Sequence, residues 1–221
     1  TALMFVYYLI TRWKELGKIN GKEYIVKTIV TTETIKTIAE RNGVEMYDVY
    51  TGFKWIANVM RENEGKKNYI GGGEESYGFL CEDFVRDKDA VSACVILAEI
   101  AAWAKDQGLS LYQLLQKIYV EYGFSKEKGI SVVKKGKSGA EEIEAMMKKF
   151  RENPLTEIAG SKVTYFYDYS TLKGKDYAEN ETVTLDMPTT SNVLQYFTED
   201  NTKVSIRPSG TEPKIKFYIE V

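Results

Sequence analysis

Short runs rich in β-branched and aromatic residues alternate with helix-length segments through the first third of the chain. The strand-like runs are residues 24–30, 44–50 and 68–70, and the helix-like segments between them are residues 35–41 and 53–63. Strands that alternate with single helices form βαβ units, whose strands lie parallel. The pattern therefore predicts an α/β domain with a largely parallel sheet, and ligands of such sheets bind at the carboxyl ends of the strands.

Three more helices are predicted around this sheet. Residues 2–16 form an apolar helical segment that ends before Gly17. Asp89 is a suitable N-cap for a long helix over residues 90–105, and Ser110 is suitable for another over 111–122. We therefore assign residues 1–123 to the first domain.

The pattern changes in the last third of the chain, where strand-like runs follow one another without helices between them. They are residues 163–169, 183–185, 193–197, 204–207 and 215–221. A lysine- and glycine-rich junction over residues 123–139 and one helix over 140–151 come before them. This predicts a smaller α+β domain with an antiparallel sheet, at residues 124–221. Because the chain begins inside a helical pattern and ends inside a strand pattern, we expect a fragment, with its second domain truncated.

Charge and residue usage exclude several function classes. The chain has 221 residues with a formal net charge of −2, so a nucleic acid or an anionic membrane is not an expected partner. It has no histidine and two cysteines, which excludes the usual zinc spacings. A reducing cytoplasm is the expected location. The apolar start before Arg12 is too short to span a membrane.

A glycine-rich stretch, Gly71-Gly72-Gly73-Glu74-Glu75-Ser76-Tyr77-Gly78, follows the third predicted strand. We expect its glycines to allow positive φ angles and a close approach of the backbone to a ligand. Glu74, Glu75 and Ser76 would then be presented to the ligand. Carboxylates and a hydroxyl accept hydrogen bonds from sugar hydroxyls and suit a bare phosphate poorly. A tight surface turn with solvated acids is the alternative interpretation.

A second polar stretch, Arg207-Pro208-Ser209-Gly210-Thr211-Glu212-Pro213-Lys214, lies near the other end of the chain. Arg207, Ser209, Thr211 and the amides around Gly210 form a compact set of phosphate donors. Lys214 and Lys216 add positive charge nearby. The stretch joins two predicted strands, so an ordinary turn flanked by prolines remains the alternative.

Lys54 is a third candidate, because it follows the second strand and so lies at the same sheet edge as Glu74. It occupies the first turn of a helix, where the helix dipole disfavours a cation and gives no structural reason for a lysine. The alternative is a solvated side chain. We interpret the charged run Arg86-Asp87-Lys88 as a solvated, mutually compensating set rather than a site.

Both polar stretches resemble those of the α-D-phosphohexomutase family, which includes phosphoglucomutases and phosphomannomutases. The family has a G-E-x-S-type loop that reads sugar hydroxyls and, further along, an R-x-S-G-T-type loop that binds phosphate; this chain has both, in that order. The resemblance covers the chain as the third and fourth of four domains.

The resemblance implies a role for each matching residue. Glu74 and Ser76 would contact sugar hydroxyls, and Lys54, in a T-G-x-K segment, would reach the sugar phosphate. The phosphate that is not transferred would be bound by Arg207, Ser209, Gly210 and Thr211. Glu75 matches a variable position and has no assigned contact. The E-E-S-Y-G form is more similar to phosphoglucomutases than to phosphopentomutases and does not separate glucose from mannose.

The family's chemistry requires parts that this sequence does not contain. The resemblance implies a phosphoserine in the first domain and Mg²⁺ in an Asp-rich loop of the second, and the sequence has no D-x-D-x-D cluster. We therefore expect no metal and no catalytic residue here, and no turnover by this chain alone. Its partners would be a hexose phosphate and the missing N-terminal domains. A stand-alone sugar-phosphate binding module and a purely structural fragment are the alternatives.

Overall fold

Two β-sheets form in the computed structural model, one in each of two units, Thr1–Ser125 and Lys126–Val221. The structure describes residues 1–210 and 212–221. The division falls after Ser125, compared with the boundary at 123/124 that we placed from the sequence. Each unit has its own hydrophobic core.

The first unit alternates helices with strands, as the sequence pattern predicted. Its elements are α1 (Ala2–Glu15), β1 (Glu23–Thr28), α2 (Thr34–Arg41), β2 (Glu45–Val49), α3 (Phe53–Asn63), β3 (Asn68–Gly73), β4 (Phe79–Cys81), α4 (Ala90–Asp106) and α5 (Leu111–Tyr122). Asp89 caps α4 by accepting hydrogen bonds from two backbone amides, and Ser110 forms a capping box with Gln113 at the start of α5.

The sheet of the first unit has the strand order β2-β1-β3-β4. β1 lies parallel to both of its neighbours, and β4 lies antiparallel to β3. This confirms the largely parallel sheet. Helices α1, α2, α4 and α5 contribute to the core on one side, with Ile25 and Ile70 from the sheet. Helix α3 packs on the other side against Tyr24, Val26 and Tyr69. The result is a three-layer α/β/α unit.

The expected role of the first three glycines was wrong. Gly71, Gly72 and Gly73 belong to β3 rather than to a loop, and none of them has a positive φ. Their function is steric. A Cβ atom on Gly72 would lie 2.1 Å from the carbonyl oxygen of Val26 on β1, and one on Gly73 would lie 2.2 Å from that of Gly78. The glycines therefore allow the backbone of β3 to pack closely against its neighbours.

Among its described residues, the second unit has one helix and an antiparallel set of strands. Its elements are β5 (Glu127–Val133), α6 (Gly136–Glu152), β6 (Glu157–Ile158), β7 (Ser161–Asp168), β8 (Lys173–Asp176), β9 (Glu181–Thr184), β10 (Leu194–Thr198), β11 (Lys203–Pro208) and β12 (Lys214–Glu220). The sheet order is β5-β12-β11-β10-β7-β8-β9, with β6 beside β7, and the described pairings are antiparallel. This confirms the predicted α+β class.

Helix α6 covers one face of this sheet. Ile143 and Met147 of the helix pack in one core cluster with Ile206 of β11 and Ile215 of β12. Because side chains alternate along a strand, Arg207 of β11 points to the opposite face from Ile206. Arg207 pairs with Lys216 of β12, so these two cations share that face.

The junction predicted from composition contains a strand. Residues Glu127–Val133 form β5, which pairs along its length with β12 at the edge of the sheet. The lysines and glycine that suggested a linker are typical of an exposed edge strand, where charge discourages further pairing. The polar segment after β7 likewise contains a short strand, β8. No helix of the described residues is long and apolar enough to cross a membrane.

Candidate functional site

The loop between β3 and β4 carries the residues that the sequence marked for sugar binding. Its two ends are joined by a hydrogen bond from the Glu74 amide to the Gly78 carbonyl at 2.7 Å. Tyr77, at φ 54°, makes the turn and is fully exposed, and Ser76 is also exposed. Glu74 and Glu75 are half-buried. The loop is therefore a closed hairpin connection that presents Ser76 to solvent and holds the carboxylates at its base.

Glu74 links this loop to the one that follows β2. Its Oε2 atom accepts a hydrogen bond from the backbone amide of Gly52 at 2.7 Å. Gly52 has φ 112° and immediately precedes α3, so its amide is one of the helix-terminal donors that lack an intrahelical partner. The structure thus brings the T-G-x-K segment and Glu74 to the same edge of the parallel sheet, and the described contacts leave Oε1 of Glu74 available to a ligand.

Lys54 also lies at this edge of the sheet. Its side chain is exposed, and its Nζ lies 5.0 Å from the centre of the Trp55 ring. Within the described part of the chain it forms no ion pair. The ammonium group therefore remains free for an anionic ligand.

Lys88 is a cationic residue that the sequence interpretation missed. It pairs with Asp87 at 3.2 Å, as a compensating charge run would, but its Nζ also lies 5.6 Å from the centre of the Phe53 ring. Its Cδ approaches Gly78 so closely that a Cβ there would lie 3.2 Å away. Lys88 thus lies between the loop carrying Glu74 and the start of α3. Lys88 could be recognised only from these contacts in the folded structure, because in the sequence a salt bridge with the adjacent Asp87 is enough to explain it.

A cavity of about 610 Å³ lies beside the loop that carries Glu74. Glu74, Glu75, Ser76 and Lys88 contribute to its polar lining. The Oε2 atom of Glu75 is buried and has no hydrogen-bond partner among the described residues. The volume of the cavity falls within the usual range for small-molecule sites. A buried carboxylate oxygen without a partner is costly, so it marks a place where a donor from another group would fit.

A fully buried lysine supports this edge of the sheet. Lys27, near the end of β1, forms ion pairs with Asp48 at 2.6 Å and with Glu33 at 3.1 Å. Burial alone disfavours its charged form, but the two carboxylates outweigh burial and raise the pKa of Lys27 above its ordinary value. Lys27 pairs with Gly73 on β3, the residue before Glu74. A fixed positive charge therefore lies within the strand next to the Glu74 loop.

The second polar stretch forms the connection between β11 and β12 in the other unit. The Ser209 amide donates to the Lys214 carbonyl at 2.7 Å, and the Glu212 amide donates to Ser209 Oγ at 3.3 Å. The Lys134 amide, just after β5, donates to the Pro213 carbonyl at 2.9 Å. Gly210 is exposed in open space. Thr211 lies outside the described residues. The loop is thus anchored to three strands, and Gly210 is accessible to solvent.

The two lysines near this loop differ in their partners. Lys214 Nζ pairs with Glu212 at 2.6 Å, and this lysine holds the pKa of the Glu212 carboxyl below its usual range. In contrast, neither Arg207 nor Lys216 forms an ion pair within the described residues, and Lys216 lies 5.8 Å from the centre of the Tyr218 ring. Arg207 is half-buried beside Lys216 on one sheet face. A phosphate could therefore bind Arg207 and Lys216 without displacing a carboxylate.

The described residues do not fit a bound metal ion. They contain no group of three or more histidine, cysteine, aspartate or glutamate side chains placed to hold one. At the Glu74 loop, one carboxylate oxygen is already used by the Gly52 amide. In the part of the chain that the structure describes, neither polar loop therefore offers the several oxygen ligands that a divalent cation requires.

Models of two consecutive protein domains match the chain. Residues 3–122 match the α/β/α domain III of phosphoglucomutase/phosphomannomutase, and residues 131–221 match its C-terminal domain. The chain belongs to the phosphoglucomutase/phosphomannomutase family. The two matches fall within the two units of the structure, and the two polar loops lie one in each.

Curated relatives are phosphoglucomutases that are much longer than this chain. The chain is 35% identical to one from Staphylococcus haemolyticus over 220 residues, which is 100% of this chain and 39% of the relative. It is 39% identical to one from Staphylococcus aureus over 197 residues, which is 89% of this chain and 35% of that protein. The chain thus spans less than half the length of these relatives.

Solved structures show the same fold. Parafusin, a phosphoglucomutase from Paramecium in its open form, superposes over all of this chain and 36% of its own length with a TM-score of 0.64 and 18% identity. A phosphoglucomutase/phosphomannomutase family protein from Burkholderia thailandensis covers all of this chain and 37% of its own length, with a TM-score of 0.58 and 15% identity.

Proposed function

We propose that this chain provides the sugar-binding and phosphate-binding surfaces of an enzyme that interconverts hexose 1-phosphate and hexose 6-phosphate. The observation that carries the proposal is the hydrogen bond between Glu74 and the Gly52 amide. It holds a carboxylate at the carboxyl edge of a parallel sheet, where such folds bind ligands. The curated relatives named phosphoglucomutase support the reaction class.

Sugar recognition would belong to the first unit. With Oε2 of Glu74 fixed by Gly52, Oε1 and the exposed Ser76 hydroxyl are free to bond sugar hydroxyls. Two vicinal hydroxyls can donate to an acceptor pair of this kind, whereas an anionic phosphate has few donors and is repelled by the carboxylate. Lys54, in the first turn of α3, and Lys88, just before α4, would supply positive charge to the phosphate of the bound sugar.

Phosphate recognition would belong to the second unit. Arg207 offers a planar fork of donors, and Ser209 and the exposed Gly210 lie on the anchored loop that follows it. Thr211 would join them by the family resemblance. Arg207 and Lys216 share a face and have no carboxylate partner in the described residues. An anion can therefore interact with both cations without displacing an ion pair. This phosphate would be the one that is not transferred.

The groups that transfer phosphate would lie in other parts of a longer enzyme. By resemblance these are a phosphoserine and Mg²⁺, and bound Mg²⁺ would neutralise charge on the phosphoryl group. The residues described here bind and orient the sugar phosphate, and we expect no turnover from them alone. The two free cysteines suit a cytoplasmic protein.

Calorimetry with glucose 1-phosphate and, separately, inorganic phosphate tests the proposal. We expect Arg207→Ala to weaken both ligands, whereas Glu74→Ala weakens only the sugar phosphate. Lys128→Ala, which removes an exposed cation from edge strand β5, is the charge-matched control and should leave both unchanged. Equal affinities for the sugar phosphate in wild type, Glu74→Ala and Arg207→Ala would refute the assignment.

An activity assay on the longer protein then distinguishes an enzyme from a binding module. Magnesium-dependent conversion of glucose 1-phosphate to glucose 6-phosphate, lost in Glu74→Ala, would support the mutase proposal. Binding that depends on the same residues but is accompanied by no turnover would favour a stand-alone sugar-phosphate module instead.

A further inference from the structure

Helix α4 is apolar on its outer side as well as on its inner side. Its inner side packs in the core through Ile100 and Ala104, with Ile96 and Leu97 partly buried against them. A second stripe, Val91, Cys94, Val95 and Ala98, follows the helical repeat and is exposed. Val91 and Val95 retain 73% and 60% of their accessible surface. A helix that is hydrophobic all round is normally buried, so this stripe lacks a covering partner here.

The apolar surface extends beyond the helix. A groove of about 540 Å³ runs beside the stripe and is lined in part by Trp13, Leu16, Phe84, Val91 and Val95. Phe84 and Leu16 are 62% and 59% exposed, and both lie outside α4. An apolar surface that joins a helix, a loop and the end of a second helix marks an interaction site more often than scattered single residues do.

The other side of the stripe borders the cavity next to the Glu74 loop. Ala93, Cys94 and Leu97 form part of its wall, and so does Glu75, whose buried Oε2 atom has no hydrogen-bond partner among the described residues. Thr1 and Ala2, at the start of α1, also line it. Polypeptide that precedes Thr1 in a longer protein would therefore emerge next to α4.

We propose that the exposed stripe of α4 is a docking surface for the preceding domains of the same polypeptide. The proposal rests on the proposed function, because it requires the longer enzyme. The family numbers the first unit as domain III, and the Staphylococcus haemolyticus relative has 61% of its length outside the match. The partner would present an apolar face to Val91 and Val95 and a hydrogen-bond donor to Glu75.

A sugar phosphate does not fit the stripe, and charge explains why. The groove beside it is lined by the cations Arg12 and Lys18 as well as by the carboxylates Glu82, Asp89 and Glu99, so it offers an anion no excess of positive charge. The stripe itself offers no donor beyond the Cys94 thiol, a weak one. A large apolar surface from a protein domain gains from burial there, whereas a charged metabolite does not.

Cys94 is a natural reporter of docking, because its thiol can be alkylated only where it is accessible. We would compare its rate of alkylation by iodoacetamide, read by peptide mass spectrometry, in the 221-residue chain and in the longer protein with the preceding domains. We expect at least about a tenfold slower reaction in the longer protein. Cys81 is an internal control in both, since it is buried and burial raises the pKa of its thiol to about 11.

Two variants of the longer protein sharpen the result. Val91→Asp/Val95→Asp places charge in the contact and should restore fast alkylation of Cys94 in a protein that remains folded by circular dichroism. Lys117→Cys, in a Cys94→Ser background, reports an exposed polar position on α5 and should react equally fast in both lengths. Protection of position 117 as strong as that of Cys94 would overturn the proposal, because the slowing would then not be specific to the stripe.

The remaining outcomes are also decisive. Equal reaction rates of Cys94 in both lengths would overturn the inference, and mutase activity in that protein would show that the proposed function stands without it. Conversely, a protected Cys94 in a protein without mutase activity would support docking while the function fails. Protection of Cys94 in the short chain that increases with its concentration would assign the surface to a second copy and overturn the proposal.

Discussion

Glu74 and Gly52, 22 residues apart, are joined by a 2.7 Å hydrogen bond from the Gly52 amide to the Glu74 carboxylate. The bond connects the loop after β3 with the first turn of α3, across the carboxyl edge of the parallel sheet. A carboxylate near a helix N-terminus is stabilised by the helix dipole as well as by the bond. The contact therefore fixes the orientation of Glu74 before any ligand arrives, which lowers the entropic cost of binding.

Glu74→Gln tests this orientation. The amide retains the shape and can still accept from Gly52, but it loses the negative charge that strengthens hydrogen bonds to sugar hydroxyls. We expect glucose 1-phosphate to bind about tenfold more weakly by calorimetry, which corresponds to about 1.4 kcal/mol. Glu40→Gln on the exposed side of α2 is the control with the same charge change. If both variants bind like wild type, Glu74 does not contact the sugar.

Gly72→Ala should destabilise the first unit strongly. Its Cβ would lie 2.1 Å from a backbone oxygen of β1, so β1 and β3 would have to separate. We expect a loss of about 3 kcal/mol or more in the free energy of unfolding. All three tryptophans lie in the first unit, so urea unfolding followed by tryptophan fluorescence isolates this change.

The control for that substitution is Gly129→Ala in β5. Gly129 has no neighbouring atom within 4 Å of an added Cβ, and its φ is not positive. Alanine there should be neutral or should stabilise the second unit by up to about 1 kcal/mol, measured by circular dichroism. A milder effect at Gly72 than at Gly129 would contradict the steric role of the β3 glycines.

The sequence predicted those features that depend on local pattern. The period of apolar residues identified most elements, and the placement of Thr51-Gly52 and Glu74 after consecutive strands predicted their common edge. The β3 glycines were misinterpreted because the reason for them is the Val26 carbonyl on another strand. Strand β5 was missed because its partner, β12, lies 80 or more residues away. Lys88 was missed because its contacts, Phe53 at the start of α3 and Gly78 in the Glu74 loop, are distant from it in the sequence.

The buried Lys27 predicts an asymmetry between two substitutions. Asp48→Asn leaves a fully buried ammonium with a weaker partner, whereas Lys27→Met leaves only carboxylates that are each about one third exposed and can be hydrated. Removing one partner of a buried pair costs about 3–5 kcal/mol, and the partial exposure of Asp48 reduces this to about 2 kcal/mol. We expect Lys27→Met to cost about 1 kcal/mol or less by urea unfolding. The reverse order would show that the ion pair does not control this site.

The same pair predicts a loss of stability at alkaline pH. Because the pKa of Lys27 is raised in the folded state, its contribution is fully present below its ordinary value of 10.5 and is lost as pH rises through the folded value. Burial also raises the pKa of Tyr24 from its ordinary value of 10.0 to about 12, so the first unit loses stability from this tyrosine as well when the pH rises above 10. The informative quantity is therefore the difference between wild type and Lys27→Met, measured by urea unfolding from pH 8 to 11.5. This difference should decrease with pH; a constant difference would contradict the raised pKa.

Glu212 should limit phosphate binding, because its Oε2 atom forms an ion pair with Lys214 Nζ at 2.6 Å. Glu212→Gln removes this competing charge and leaves the backbone contact from residue 212 to Ser209 Oγ in place. Lys214 would then join Arg207 and Lys216 as an unpaired cation near the loop. We expect inorganic phosphate to bind about two- to fivefold more tightly, an effect that salt should screen, since the side chains are near the surface. Glu157→Gln on exposed strand β6 changes the net charge equally and should leave the affinity unchanged. Equal tightening by both variants would assign the effect to net charge, and weaker binding in Glu212→Gln would show that Glu212 instead holds the loop in its binding conformation.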